Sequence, residues 1–175
     1  MAEAALGGGR GRPFLTPAEA GRALALLLPL ALLGGALGSQ YFGGLHPCEM
    51  CYWQRWPHGA AAVLAALALM SPTRSQRSLA LVLLAALAIA VSGAIGVYHA
   101  GVELGIFEGF TTCTTTAKAA TTEELLKQIM KVPLIRCDQV QWSFLGVSMA
   151  GWNAILSLTG AAAIVWLTLS GRRSR

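Results

Sequence analysis

Charge is what this sequence has least of. Only 12% of its 175 residues are Asp, Glu, Lys or Arg, where a soluble domain carries about 25%. So little polar surface leaves a membrane as the natural solvent, in keeping with 55% apolar residues and a mean hydropathy of +0.58. The length suits one compact bundle. A basic stripe interleaved with aromatics is also missing: the 13 Lys and Arg residues behind the net charge of +5 lie mostly in short clusters between apolar runs. That distribution argues against nucleic-acid binding and fits the bias that orients membrane helices. Internal repeats and low-complexity domains are lacking as well.

Three long uncharged runs stand out, Ala23 to Phe42, Ser78 to Tyr98 and Phe144 to Leu169. Each exceeds the roughly 18 apolar residues expected of a spanning helix. A shorter run, Pro57 to Met70, reaches only about 21 Å at about 1.5 Å per residue, against a hydrocarbon core about 30 Å thick. Its helix is therefore expected to begin near Tyr52, with Trp53 and Trp56 in the interfacial belt and Pro57 in the first turns, where a missing N–H does least harm. Cys51 then stands at the membrane surface and Arg55 one turn further in.

The expected fold is an all-α membrane protein, a four-transmembrane-helix bundle with helices at about 23–42, 52–70, 78–98 and 144–169. Tails 1–22 and 172–175 flank this membrane domain (23–171), and loops 43–51 and 99–143 join its helices on one side. Arg10, Arg12 and Arg22 precede the first helix, Arg74 and Arg77 join the second and third, and Arg172, Arg173 and Arg175 close the chain. Short basic flanks set orientation, so both termini are expected in the cytoplasm and both loops outside. Arg22 to Ser39 can alternatively be read as a signal peptide. Its apolar run is long for that role and cleavage would leave three helices, so an uncleaved anchor is expected. Residues 1 to 20 read as a disordered or surface-lying tail. In the long loop, Thr121 and Glu124 form a capping box, Glu123 and Lys127 an i,i+4 pair, and Pro133 closes the segment. Leu125, Leu126, Ile129 and Met130 share one face of this short amphipathic helix, which lies flat on the bilayer or packs on the protein itself.

All four cysteines fall in the two outward loops: Cys48 and Cys51, spaced C-x-x-C, then Cys113 and Cys137. Three pairings are possible. Cys48–Cys51 and Cys113–Cys137 are the bridges expected in an oxidising compartment. A zinc site would need a second closely spaced ligand pair, yet Cys113 and Cys137 lie far apart and His46 is the only nearby histidine, so no metal is expected. A structural staple explains Cys113–Cys137, but C-x-x-C closes too small a ring to constrain the chain. Redox exchange suits it better, because attack at one sulfur exposes a neighbour that can resolve the mixed disulfide. Arg55, one helical turn after Cys51, can stabilise a thiolate together with the helix N-terminus; the alternative is an arginine snorkelling to lipid phosphate. Glu49 between the cysteines opposes that effect or faces water. His46 and His58 read as interfacial, with no role.

Assembled, these residues resemble the DsbB family of bacterial membrane thiol oxidases over nearly everything after the tail. Pro47-Cys48-Glu49-Met50-Cys51 with Gln54-Arg55 resembles the family's first-loop motif. Tyr98-His99, Cys113, and Cys137-Asp138 leading into Trp142-Ser143-Phe144-Leu145-Gly146 resemble its second loop and fourth helix. The resemblance implies a quinone-reducing protein-disulfide oxidoreductase of the bacterial inner membrane. Its partner would be a periplasmic DsbA-like thioredoxin-fold protein, and its acceptor ubiquinone or menaquinone. The partner would attack Cys113, released Cys137 would attack Cys48, and Cys51 would pass electrons to a quinone against Arg55. His99 would stand near the quinone or be a plain interfacial residue. Two other readings are a vitamin K epoxide reductase-like protein, in which the C-x-x-C comes late in the chain, and a membrane scaffold with structural disulfides.

Overall fold

The computed structural model describes residues 15–109, 121–123 and 135–173. Four helices fill most of them: α1 (Pro17–Tyr41), α2 (Glu49–Leu69), α3 (Gln76–Glu103) and α4 (Met149–Arg173). A small antiparallel hairpin, β1 (Ser143–Phe144) with β2 (Val147–Ser148), directly precedes α4. The loop helix expected on Leu125, Leu126, Ile129 and Met130 lies outside the described residues, as does Cys113.

Every helix starts or ends away from its apolar run, and caps explain why. Thr16 and Glu19 form a capping box and Pro17 occupies the first turn, so α1 begins at Pro17 rather than at Ala23. Arg22 is therefore inside α1 and buried, not a flank. Its guanidinium donates to the carbonyls of Ala68 and Ser71 and to the Thr73 hydroxyl, tying α1 to the α2–α3 turn. The second helix begins at Glu49, ahead of Tyr52, because Cys48 is its N-cap; Pro57 accordingly sits deep in α2 rather than in its first turns. The third runs past Tyr98 to Glu103. There Gly105, at φ +71°, lets the Ile106 amide return to the Gly101 carbonyl (2.8 Å) in a Schellman-type stop. The fourth begins at Met149 instead of Phe144, because Leu145 (φ 52°) and Gly146 (φ 77°) form the two-residue turn of the hairpin.

α3 packs on α2 and α4, and α1 closes the ring against α4 and α2. The interior is small-residue packing: Ala25, Ala61, Ala65, Ala68, Ala85, Ala86 and Ala161 surround Val82, Ile89 and Ile164. A Cβ on Gly96 would come within 3.0 Å of the Ala150 carbonyl oxygen, a measure of how closely α3 and α4 approach. Large apolar side chains such as Leu27, Leu30, Leu87, Val91 and Trp166 point outward instead. Small inside and large outside is how helices pack in lipid, where burying Leu gains little. α1, α3 and α4 are long and apolar enough to cross a membrane. α2 is not among these three; Glu49, Gln54, Arg55 and His58 dilute it.

Candidate functional site

The C-x-x-C spacing is the spacing of an N-cap and the third helical residue. Cys48 has extended backbone (φ −76°, ψ 173°) and its sulfur accepts from the Cys51 amide at 3.4 Å, taking the place of the usual Ser or Asp oxygen. This brings the two sulfurs to 3.0 Å, with the Cys48 thiol donating to Cys51. The pair is electrostatically unequal. The hydrogen bond to Cys51, and then burial, hold the Cys48 thiol above the ordinary range. The same hydrogen bond, helped by backbone and by the Arg55 charge against the cost of burial, lowers Cys51 to about 7. Cys51 lies in the first turn of α2, ahead of its apolar stretch, where the helix N-terminus also favours a thiolate. Glu49, which follows the N-cap, is exposed to water.

Cys137 is buried in the same cluster as Cys48, Met50 and Val102, and is close enough to act on the Cys48 thiol. Its backbone neighbours His99. Three of the four sequence-selected cysteines therefore converge. Arg55 does not snorkel outward. Its guanidinium reaches across to α1, donating to Gln40 Oε1 (2.6 Å) and the Ala36 carbonyl (3.2 Å), and lies 5.2 Å from the Tyr52 ring centroid.

Beneath the cysteines lies a buried polar network that sequence reading missed. Gln54 Nε2 donates to the Met50 carbonyl (3.1 Å) and to His99 Nδ1 (2.8 Å), while Gln54 Oε1 accepts from Asn153 Nδ2 (2.8 Å). Asn153 Nδ2 also reaches the Ser92 carbonyl (3.2 Å), and Asn153 Oδ1 faces His58 Nε2 (2.9 Å) and accepts from Ser157 (3.0 Å). His58 is thus buried within the bundle rather than interfacial. The signal was present: polar side chains inside apolar helices are functional candidates by default. With the amides so oriented, neutral His99 accepts at Nδ1 and carries its proton on Nε2. Nε2 is the atom 3.6 Å from Cys48 Sγ.

Cys48, Cys51 and His99 bring three donor atoms of the kind that bind metals within 4.8 Å of one another. With Nδ1 accepting from Gln54, His99 turns its Nε2 proton toward the sulfurs.

A cavity of about 570 Å³ opens beside the pair. Cys48, Cys51, Arg55, His99 and Glu103 line its polar end, and Ala31, Leu32 and Gly35 of α1 its apolar side. That volume falls in the range of small-molecule sites.

Comparison with known proteins agrees with this chemistry. The family described as Disulfide bond formation protein DsbB matches residues 19–167. The chain is 32% identical to a Disulfide bond formation protein B of Aromatoleum aromaticum, over 78% of this chain and 84% of that one. It is 28% identical to one of Polaromonas sp., over 87% and 90% of the two chains, and 29% identical to one of Azoarcus sp., over 83% and 88%. No solved structure matches it significantly.

Proposed function

The chain belongs to the DsbB family of disulfide bond formation proteins, and from that premise we propose that it oxidises a thioredoxin-fold dithiol outside the bacterial inner membrane and delivers the electrons to a quinone. The observation that carries this reading is the contact of Cys137 with Cys48 in one buried cluster, while Cys51 faces the cavity. A thiolate of the soluble partner attacks Cys113, the Cys113–Cys137 bond breaks, and the partner's second thiolate then displaces Cys113 and leaves oxidised. Cys137, freed as a thiolate, attacks Cys48 of a Cys48–Cys51 disulfide and Cys51 leaves; the Cys113 thiolate then attacks Cys137, restoring Cys113–Cys137 and releasing Cys48 reduced. Exchange favours the sulfur that departs as the more stable thiolate, and Cys51 is that sulfur.

Unpartnered buried polar atoms at the polar end of the cavity, Arg55 Nε and Glu103 Oε2, support a polar headgroup there, with the α1 side chains against its tail. A bound quinone supplies a sink for two electrons and two protons. Arg55, fixed by α1, presents positive charge to that end of the cavity, and His99 Nε2–H is held toward Cys48. α2 is the fourth crossing, its apolar part after Arg55 in the membrane and its first turn, with Cys51, at the outer surface. Both termini then lie in the cytoplasm and the cysteine end faces the periplasm. The test is to titrate the purified protein with a reduced thioredoxin-fold dithiol and with ubiquinone or menaquinone analogues. Partner oxidation and quinone reduction in equal amounts are expected. Cysteines that stay oxidised throughout would leave a scaffold.

A further inference from the structure

Closing the Cys48–Cys51 bond requires Cys48 to lose its proton, and its surroundings offer few places for that proton to go. Cys48 is 4% exposed. The ring nitrogen that faces it, His99 Nε2 at 3.6 Å, already carries a proton, because Gln54 donates to Nδ1. Glu49 faces water, and Asp138 is exposed and paired with Arg136. Among the described residues that line the cavity, the one carboxylate is Glu103, the last residue of α3, one turn beyond His99. Its side chain is 8% exposed, and Oε1 lies 3.9 Å from His99 Nε2, the same nitrogen that is 3.6 Å from Cys48 Sγ. Oε2 is buried with no hydrogen-bond partner. A negative end is poorly placed at a helix C-terminus, and the neutral contact made to it is the Ser148 hydroxyl.

We propose that Glu103 is the base that accepts the Cys48 proton as the Cys48–Cys51 disulfide forms, and that it holds this proton at the wall of the cavity. The inference rests on the reading of Cys48–Cys51 as a redox pair. In the step, the Cys48 S–H bond breaks, its proton passes to the carboxylate across one water, and the sulfur closes on Cys51. The two electrons go to the oxidant, quinone in the proposed cycle. The same carboxylate lines the cavity where that oxidant needs protons. Titratable and charged groups around Glu103 come from three sides: His99 on its own helix, Cys48, Cys51 and Arg55 at the start of α2 with His46 before it, and Arg136 and Cys137 in the following loop.

The experiment uses quinone-free, reduced full-length protein in a C113S/C137S background, so that one pair reacts. The small oxidant diamide forms an adduct at Cys51, and disulfide closure by Cys48 is followed against pH. E103Q should slow closure at neutral pH by at least about tenfold, and at most by the roughly 10²–10⁴-fold that general base catalysis contributes. E103Q and the parent should converge at alkaline pH, where hydroxide replaces the carboxylate, and E103D should retain most of the parent's rate. A folding defect would not be cured by pH. Equal rates in E103Q and parent at every pH would overturn the proposal while leaving the redox reading intact. Failure of the parent pair to close at all would overturn that reading instead.

Discussion

At the scale of single residues, the two cysteines of one motif have been made chemically different by a cap. Cys48 uses its sulfur to satisfy a helix amide and its proton to hold Cys51, and Cys51 gains thiolate character at its neighbour's expense. The consequence is a pH dependence with a definite sign. Alkylation requires the thiolate, so modification of Cys51 in the reduced protein should rise with pH through about 7, below the roughly 8.5 of a free thiol. Cys48 should stay unreactive across that range, because its thiol is held above the ordinary range. Mass spectrometry of the modified protein at a series of pH values separates the two sites. Arg55→Ala should move the Cys51 midpoint upward, by less than loss of the Cys48 hydrogen bond would, since charge is secondary to that bond. Arg55→Lys should move it less. An Arg55→Ala profile identical to wild type would confine Arg55 to anchoring α1.

At the scale of elements, the hairpin before α4 carries a local conflict. Leu145 occupies a left-handed turn position at φ 52° although it is neither glycine nor asparagine, and its side chain is 77% exposed. The cost of that conformation is about 1–2 kcal/mol, with little packing to offset it. Leu145→Asn, which creates the favoured Asn-Gly turn, should therefore stabilise the protein by about 1 kcal/mol. A higher thermal midpoint in detergent is the expected readout; a lower one would mean that Leu145 makes contacts with lipid or partner that outweigh the turn. Helix identity was legible in the sequence because long apolar runs are read without knowing their neighbours. Boundaries were not, because Cys48, Thr16 and Gly105 set them through single capping interactions outside those runs. The same division holds at the site. Cys48, Cys51 and Arg55 could be found because they are local in sequence, and Gln54 and His99 through the family resemblance, whereas Asn153 and the bonds that join Gln54 to His99 and to Asn153 span 45 and 99 positions. Glu103 looked like one of several loop charges until α3 proved to extend through it.

At the scale of the whole molecule, the bundle separates a lipid-facing coat, an alanine-lined centre and a polar end where the first loop, α3 and the segment before α4 meet. Cys137 reaches Cys48 only because these three parts converge, so the relay should be interruptible at one atom. In Cys137→Ser, Cys113 has no intramolecular partner, and a mixed disulfide between Cys113 and the soluble dithiol protein should accumulate and vanish on reduction. Cys113→Ser should trap none. The Cys48–Cys51 pair should still close in both variants when quinone is supplied to reduced protein, because the cavity and its lining are untouched. Non-reducing gels resolve the trapped species, and impermeant thiol reagents added to intact spheroplasts should label reduced Cys51 from outside. Trapping by Cys113→Ser would move the entry point to another cysteine. Labelling only after the membrane is opened would reverse the orientation, and with it the compartment in which the partner must be sought.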